Sequence, residues 1–288
     1  MKIKSQNLQL QYGNHFALKN IDFELKGPKI YGLLGRNGAG KTSLLSLIAS
    51  FQEPSAGKLT INDEIPFENA KIMQQVAFLY QKDYATESNN AVQILKDVQR
   101  YRPNFDEEYA NYLLDVFKLD RKKPVKKFSK GMQSTLNVII GLAGRTPITI
   151  FDEVYLGMDS PTREIFYKEL LADQERFPRM IILSTHLVSE MEYLFDEILI
   201  LKEGSLLLHE DFESLISKGA TITGEMRIVD EFVRNKKVIG FKTLGNTKAV
   251  TILGHLSEME QREAMELDLT ISSVSLHDLF IHLTEEEQ

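Results

Sequence analysis

The sequence predicts an α/β domain built on a largely parallel sheet, followed by a small α+β domain. Three observations lead to this prediction. Continuous apolar runs alternate with helix-like segments, which is typical of parallel strands buried on both faces. A glycine-rich turn joins one such run, at 30–34, to a helix-like segment. Beyond about residue 215 this alternation stops, so we expect domains at 1–215 and 216–288.

The first part of the chain predicts antiparallel strands that lead into the glycine-rich turn. Apolar and polar residues alternate there, and Gly27-Pro28 ends the second strand. The later runs are continuously apolar and therefore predict buried strands. The expected elements are strands near 8–12, 21–25, 30–34, 58–61 and 76–80, with a helix at about 41–50.

Residues 82–145 show helical rather than strand-like spacing and predict a helical insertion within the first domain. Apolar residues recur at helical intervals in three stretches, which begin near Val92, Tyr109 and Leu136. Strands then return and alternate with a helix. The expected elements are strands at 148–151, 180–183 and 197–201 and a helix at about 160–176.

The second domain is expected to combine three strands with two helices. Strand-like runs occur near 226–229, 237–241 and 249–253, and helix-like stretches follow near 257–265 and 275–284. The sequence leaves two roles open for this domain: stabilisation or dimer contact, and a regulatory ligand site.

Composition and charge exclude several classes of protein. The net charge is −7, whereas nucleic-acid binders are typically rich in positive charge, so no nucleic-acid partner is expected. The absence of cysteine excludes disulfides and thiolate metal sites and fits a reducing compartment. No apolar stretch approaches the length of about 18 residues that predicts a membrane-spanning helix, and the first residues lack a secretory signal. We expect a cytoplasmic protein.

The strongest motif follows the 30–34 strand. It has the order glycine, four residues, glycine, lysine and then serine or threonine, which predicts a loop that cradles the phosphates of a nucleoside triphosphate. Glycines let backbone N–H groups turn toward phosphate, lysine places a positive charge on it, and the hydroxyl can bind Mg²⁺. The candidate binding residues are Gly35, Arg36, Asn37, Gly38, Ala39, Gly40, Lys41, Thr42 and Ser43.

Two carboxylates end the 148–151 strand. The carboxyl ends of parallel strands are where ligands lie, so Asp152 is a candidate Mg²⁺ ligand and Glu153 a candidate base for an attacking water. An acidic pair at a strand end is weak evidence alone. Beside a phosphate-binding loop, the catalytic interpretation is favoured.

The stretch Phe128-Ser129-Lys130-Gly131-Met132 precedes a helix, and Ser129 can serve simply as its N-cap. A glycine-containing helix start can also bind an anion. Together with the phosphate-binding loop, this stretch resembles the Leu-Ser-Gly-Gly-Gln signature of ATP-binding cassette proteins, with Ser129 and Gly131 retained. The resemblance covers about residues 3–210 and implies a P-loop NTPase with a RecA-like core, an antiparallel β subdomain and a helical insertion.

The resemblance assigns roles to four more positions. Tyr12 matches the aromatic residue that stacks on adenine, and Gln81 matches the glutamine that contacts Mg²⁺ and the water. Asp159, in Gly157-Met158-Asp159, matches the loop that crosses the dimer, and His186 matches the histidine that contacts the γ-phosphate. Each residue alone is more often structural, but their shared order favours the family roles.

The resemblance implies an ATPase that binds ATP and Mg²⁺ between two copies. Lys41, Thr42, Gln81, Asp152, Glu153 and His186 would hold ATP from one side, and Ser129 and Gly131 of a second nucleotide-binding subunit would close the other. That subunit would be an identical copy or a related chain. ATP binding and hydrolysis would drive a separate transmembrane permease docked near residues 82–102. The resemblance therefore implies that this chain lies at the inner face of the membrane.

Departures from the family pattern leave the rate of hydrolysis open. Val154-Tyr155-Leu156 stands where Pro-Thr-Ser is common, and Thr135 stands where arginine is frequent. The leading interpretation is the ATPase subunit of a bacterial exporter. The alternatives are a soluble cassette ATPase acting on translation or DNA repair, and a nucleotide-gated regulatory module with low turnover. The basic stretch 121–127 is either a solvated loop or a surface that attracts nucleotide or anionic lipid.

Overall fold

The computed structural model describes residues 1–285. The chain divides into two compact units: residues 1–186 with 193–209, and residues 187–192 with the chain from 210 onward. The short segment 187–192 therefore packs with the second unit, which a boundary at residue 215 did not anticipate.

The first unit contains an antiparallel sheet, a parallel sheet and a group of helices. Its elements, in chain order, are β1 (Lys2–Tyr12), β2 (His15–Lys26), β3 (Ile30–Gly35), α1 (Lys41–Ile48), β4 (Ala56–Ile61), α2 (Ala70–Met73), β5 (Val76–Leu79), α3 (Ala91–Tyr101), α4 (Glu107–Val116), α5 (Lys130–Gly144), β6 (Ile148–Asp152), α6 (Ser160–Arg176), β7 (Met180–Thr185), β8 (Glu197–Lys202) and β9 (Ser205–Asp211), with a 3₁₀ turn at Val125–Lys127.

The main sheet has the strand order β5-β6-β7-β3-β8-β9. The pairs β5–β6, β6–β7, β7–β3 and β3–β8 are parallel. Every residue of β3, β6 and β7 is buried, as expected for strands covered on both faces. This arrangement brings the carboxyl ends of β3, β6 and β7 to the same edge of the sheet.

The antiparallel sheet has the order β2-β1-β4. Ile3 of β1 faces Leu25 of β2 and Ile61 of β4, and all three side chains are buried. They share one hydrophobic core with the side chains of α1, including Leu44 and Leu45. This core holds α1, and with it the glycine-rich turn, between the two sheets.

Side-chain caps begin the helices of the insertion. Asn90 and Gln93 form a capping box at α3, and Asp106 caps α4. Arg145 ends α5 in the left-handed conformation, and its guanidinium bonds Asp106 and Asp173. These ion pairs connect α4, α5 and α6, so the helical insertion is anchored to the helix that follows β6.

The second unit contains a sheet of order β11-β12-β10-β13 whose neighbouring strands are antiparallel. Its own core includes Ile222, Val229, Val250 and Ile252. Its elements are α7 (Val188–Met191), α8 (Phe212–Ile216), β10 (Gly219–Glu225), α9 (Met226–Phe232), β11 (Lys237–Leu244), β12 (Thr247–Leu253), α10 (Glu258–Glu266), β13 (Thr270–Ser273) and α11 (Leu276–Thr284), and a 3₁₀ turn at Glu192–Leu194 precedes β8.

The prediction of a strand at 226–229 is wrong, because this stretch opens helix α9. Its short apolar run fits both periodicities, but Val229 and Val233 continue it at a four-residue interval and are both buried. Strands β9, β10 and β13 were also not predicted. Within residues 1–285, none of the helices combines the length and hydrophobicity needed to cross a membrane.

Candidate nucleotide site

The glycine-rich turn lies between β3 and α1. Gly40 is the N-cap of α1 with φ of 103°, a conformation that L side chains rarely adopt. A Cβ atom added to Gly40 would lie 2.6 Å from the Ala17 carbonyl oxygen. The turn therefore needs glycine both for its backbone conformation and for its close packing on β2.

Lys41, the first residue of α1, places its ammonium group inside this turn. Nζ donates a hydrogen bond to the Gly35 carbonyl oxygen at 2.8 Å and lies 3.4 Å from Glu153 Oε1. The side chain is only 7% exposed. A buried ammonium needs compensation, and the Glu153 carboxylate supplies it.

Asp152, the last residue of β6, lies opposite the start of α1. Thr42 Oγ1 donates to Asp152 Oδ2 at 2.8 Å, and Ser184 of β7 donates to Oδ1. Asp152 and Ser184 are register partners in the parallel sheet, which explains their meeting. Mg²⁺ prefers hard oxygen ligands and binds through one or two carboxylates in phosphate-transfer sites. A hydroxyl beside a buried carboxylate fits such an ion.

Glu153 follows β6 with φ of 49°, in the left-handed region. Non-glycine residues in this region carry backbone strain, which is common at active sites. Glu153 Oε1 lies 3.3 Å from His186 Nδ1 as well as near Lys41. Glu153 therefore connects the end of β6 to the residue that follows β7.

An open cleft of about 380 Å³ lies over the turn. Tyr12, at the end of β1, lines it with 47% of its surface exposed. Its hydroxyl donates to Gln52 Oε1 at 2.5 Å, which fixes the ring at the cleft wall. The other lining residues are His15, Ala17, Asn37, Gly38, Ala39, Gly40, Lys41, Thr42, Ser43 and Glu153.

Several predicted site residues lie elsewhere. Gln81 is exposed beyond the end of β5 and is not among the described residues that line the cleft. Ser129 caps α5 by accepting from the Met132 N–H at 3.3 Å. Asp159 caps α6, and hydrogen bonds from Thr162, its hydroxyl first and then its N–H, hold the pKa of Asp159 below its usual value.

The structure thus brings five predicted residues together in two adjoining sets. Thr42 bonds Asp152, and Glu153 lies beside both Lys41 and His186. The signature residues form a second location. The start of α5 packs on the loop after β6, where Ser134 Oγ donates to the Leu156 carbonyl oxygen at 2.7 Å. One copy of the chain therefore presents two separate parts of the predicted site.

Sequence reasoning missed two residues that bond members of these sets. Ser184 bonds Asp152, and the Tyr155 hydroxyl lies 3.2 Å from His186 Nδ1. The only sequence signal was the tyrosine itself, a large residue where the family pattern has small ones.

Comparison with known proteins decides the family. A family model described as ABC transporter matches residues 18–155. An uncharacterised ABC transporter ATP-binding protein of Methanocaldococcus jannaschii is 30% identical over 285 residues, covering 97% of this chain and 98% of that protein. The chain belongs to the ABC transporter family. The bacitracin transport ATP-binding protein of Bacillus licheniformis is 29% identical, with coverage of 87% and 78%.

Solved structures of ABC proteins share the fold. The ATP-binding subunit of an ABC transporter superimposes with a TM-score of 0.66 at 21% identity and covers 81% of this chain and 92% of its own. An ATP-binding cassette dimer bound to ADP and phosphate gives a TM-score of 0.62 at 22% identity, with coverage of 73% and 98%. The predicted P-loop NTPase fold is confirmed. Membership of this family implies that the chain binds and hydrolyses ATP.

Proposed function

We propose that the chain binds ATP with Mg²⁺ and hydrolyses it to power export through a separate membrane-spanning permease. Two nucleotide-binding subunits, identical or related, would associate when ATP binds between them. The observation that supports this proposal best is the contact of Thr42 with Asp152 beside the buried Lys41. It combines oxygen ligands for a cation with a positive charge for phosphate.

The phosphate loop supplies the binding part of the reaction. Lys41 and the N–H groups at the start of α1 would bind the β- and γ-phosphates. Thr42 and Asp152 would hold Mg²⁺, and Gln81 would join them when its loop moves toward the cleft. Bound Mg²⁺ would neutralise part of the phosphate charge. Tyr12 would stack on the adenine ring at the cleft wall.

Glu153 supplies the chemical part. Its carboxylate would accept a proton from water while the water oxygen forms a bond to the γ-phosphorus and the bond from that phosphorus to ADP breaks. In the structure Glu153 is paired with Lys41. Since the γ-phosphate is a stronger partner for the lysine, ATP would release Glu153 to bind water.

The signature supplies the closing part from a second copy. Ser129 and Lys130 are exposed at the start of α5, where the helix dipole favours an anion. Ser129 and Gly131 of one subunit would contact the γ-phosphate held by the other. Hydrolysis removes this contact and so weakens the closed dimer.

The export role is supported by named relatives. They include bacitracin and lantibiotic transport ATP-binding proteins and a Nod factor export ATP-binding protein. A permease could dock beside the insertion, near residues 82–102. Phe51, Phe78 and Tyr80 form an aromatic cluster just before this region, with ring centroids 5.1 to 5.9 Å apart and Phe51 55% exposed. These interactions would hold the chain at the cytoplasmic face of the membrane.

The substitution Glu153→Gln tests the proposal. It removes the base and also the negative charge paired with Lys41, so ATP affinity should be kept or increased. Turnover should fall by about 10²-fold to 10⁴-fold, the usual contribution of a general base. A fluorescent ATP analogue measures affinity, phosphate release measures turnover, and light scattering after size exclusion measures dimer formation with ATP and Mg²⁺.

Glu175→Gln is the matched control, because Glu175 is an exposed carboxylate on α6. It should behave as wild type in all three assays. Full turnover in Glu153→Gln would contradict the assignment of the base. A variant that binds ATP without hydrolysing it, yet stays monomeric, would contradict ATP-driven association.

A further inference from the structure

Tyr155 lies in the loop after β6, two residues beyond Glu153, and is 1% exposed. Its ring lies 5.9 Å from the His186 ring, measured between centroids. A buried phenol needs hydrogen-bond partners. Three partners of the Tyr155 hydroxyl lie at the end of β7 and in the residue after it.

The Tyr155 hydroxyl oxygen accepts from Thr185 Oγ1 at 3.0 Å and from the His186 backbone N–H at 3.2 Å. It also lies 3.2 Å from His186 Nδ1. A phenol carries one proton and accepts at two lone pairs. Of these three partners, the backbone N–H can only donate and the Thr185 hydroxyl donates. Among these three, His186 Nδ1 is the one that can accept the phenol proton.

We propose that Tyr155 is a positioning residue that holds His186 with Nδ1 as an acceptor and the ring proton on Nε2. The proposal deepens the ATPase function proposed above and rests on it for its kinetic consequence. An imidazole is a donor at one nitrogen and an acceptor at the other when neutral. The hydrogen bond at Nδ1 therefore decides which nitrogen can donate to a ligand.

Glu153 competes with Tyr155 for this nitrogen. Its Oε1 atom lies 3.3 Å from Nδ1, so a proton on Nδ1 would bond the carboxylate. That arrangement would occupy the base and leave Nε2 without a proton to donate. With Tyr155 as the donor to Nδ1, His186 keeps a donor for phosphate and Glu153 keeps its lone pairs for water. Tyr155 thus separates the roles of the two residues.

Nuclear magnetic resonance of the full chain, labelled with ¹⁵N in histidine, tests the tautomer directly. At pH 8 imidazoles are ordinarily neutral, and long-range ¹H–¹⁵N correlations distinguish protonated from unprotonated ring nitrogens. The variant His186→Gln assigns the His186 signal among those of the six histidines. The wild-type protein should show an unprotonated Nδ1 with the shift of a hydrogen-bond acceptor. Tyr155→Phe should move the proton toward Nδ1.

Tyr31→Phe is the matched control. It also removes a buried tyrosine hydroxyl, one that bonds the Lys26 backbone, away from the cleft. It should leave the His186 tautomer unchanged. Thermal unfolding of both variants separates loss of stability from loss of positioning.

ATP hydrolysis gives the second measurement. The net value of one hydrogen bond, about 0.5 to 1.5 kcal/mol, corresponds to a decrease in kcat of about twofold to tenfold. Tyr155→Phe should lower kcat by this factor and leave KM almost unchanged. Because Tyr155 acts through His186, the double variant with His186→Gln should be no slower than His186→Gln alone.

A protonated Nδ1 in the wild-type spectrum would overturn the proposal, and so would the absence of an acceptor shift there. Both results are read on the unmodified chain, so they hold even if Tyr155→Phe does not fold. An unchanged tautomer in folded Tyr155→Phe would overturn it as well. If the wild-type chain does not hydrolyse ATP, the proposed function fails while the spectra still decide the role of Tyr155.

Discussion

The packing of α5 against the loop after β6 can be tested with two glycines of the same helix. A Cβ atom added to Gly131 would lie 2.4 Å from the Gly157 carbonyl oxygen and 3.2 Å from its carbonyl carbon. Ordinary contacts begin near 3.4 Å, so the backbones must separate by about 1 Å. No side-chain rotamer can relieve a contact with backbone. Gly144 has only Thr146 Oγ1 nearby, at 3.8 Å.

The two alanine substitutions should therefore have opposite effects. Overpacking costs about 1 to 3 kcal/mol, while replacing glycine by alanine in a helix gains up to about 1 kcal/mol. For a unit of this size each kcal/mol shifts Tm by about 2 to 4 °C. Gly131→Ala should lower Tm by about 4 to 8 °C for a net cost near 2 kcal/mol. Gly144→Ala should raise it by up to about 4 °C.

Circular dichroism measures the two Tm values, and hydrogen exchange with mass spectrometry locates the change. In Gly131→Ala, protection should fall in the peptides around 129–135 and 153–159 and stay constant in α1. A Tm at or above that of wild type, or unchanged protection in both peptides, would show that α5 and the loop are not packed as described.

Two further predictions concern the cleft and the second unit. Tyr12→Ala should weaken ATP binding by about fivefold to 150-fold, because stacking is worth about 1 to 3 kcal/mol per base. Tyr12→Phe should bind nearly as wild type, and equal affinities of the two variants in an ATP-analogue titration would exclude stacking. Hydrogen bonds from Lys236 and Ser257 lower the pKa of Glu260 from 4.5 to about 2. The carboxylate form therefore stabilises the fold above pH 4.5, and this contribution disappears as the pH falls toward 2. The Tm difference between wild type and Glu260→Gln should shrink over this range, and a constant difference would contradict the assignment.

The strands and helices of the first unit could be predicted closely because the spacing of apolar residues differs between its strand-forming and its helix-forming segments. The run at 180–183 is continuously apolar, the run at 148–151 is interrupted only by Thr149, and the two runs lie in β7 and β6. The second unit was harder. The apolar run at 226–229 is too short to distinguish a strand from a helix. Its secondary structure depends on the packing of Val229 against the sheet. Edge strand β13 alternates poorly, since little of it is buried.

Candidate residues could be predicted where a motif places them on consecutive positions, as in Gly35–Ser43. The meeting of Thr42 with Asp152 follows from strand order, because β3 and β6 both flank β7. The role of Tyr155 could not be predicted. It depends on the left-handed turn at Glu153, which redirects the chain so that a buried phenol reaches the residue after β7. No periodicity in the sequence encodes that turn.

The structural and functional interpretations of Ser129 are compatible. As the N-cap of α5 its hydroxyl oxygen accepts one hydrogen bond, from the Met132 N–H. A serine hydroxyl also carries a proton and a second lone pair. Capping uses neither the proton nor that lone pair, and Ser129 is exposed. The cap fixes the oxygen at the helix N-terminus, and the hydroxyl proton stays available for the phosphate that a second copy would bring. The capping bond would thus favour the closing contact proposed for Ser129, because a side chain already held in one rotamer loses little conformational freedom when the phosphate binds.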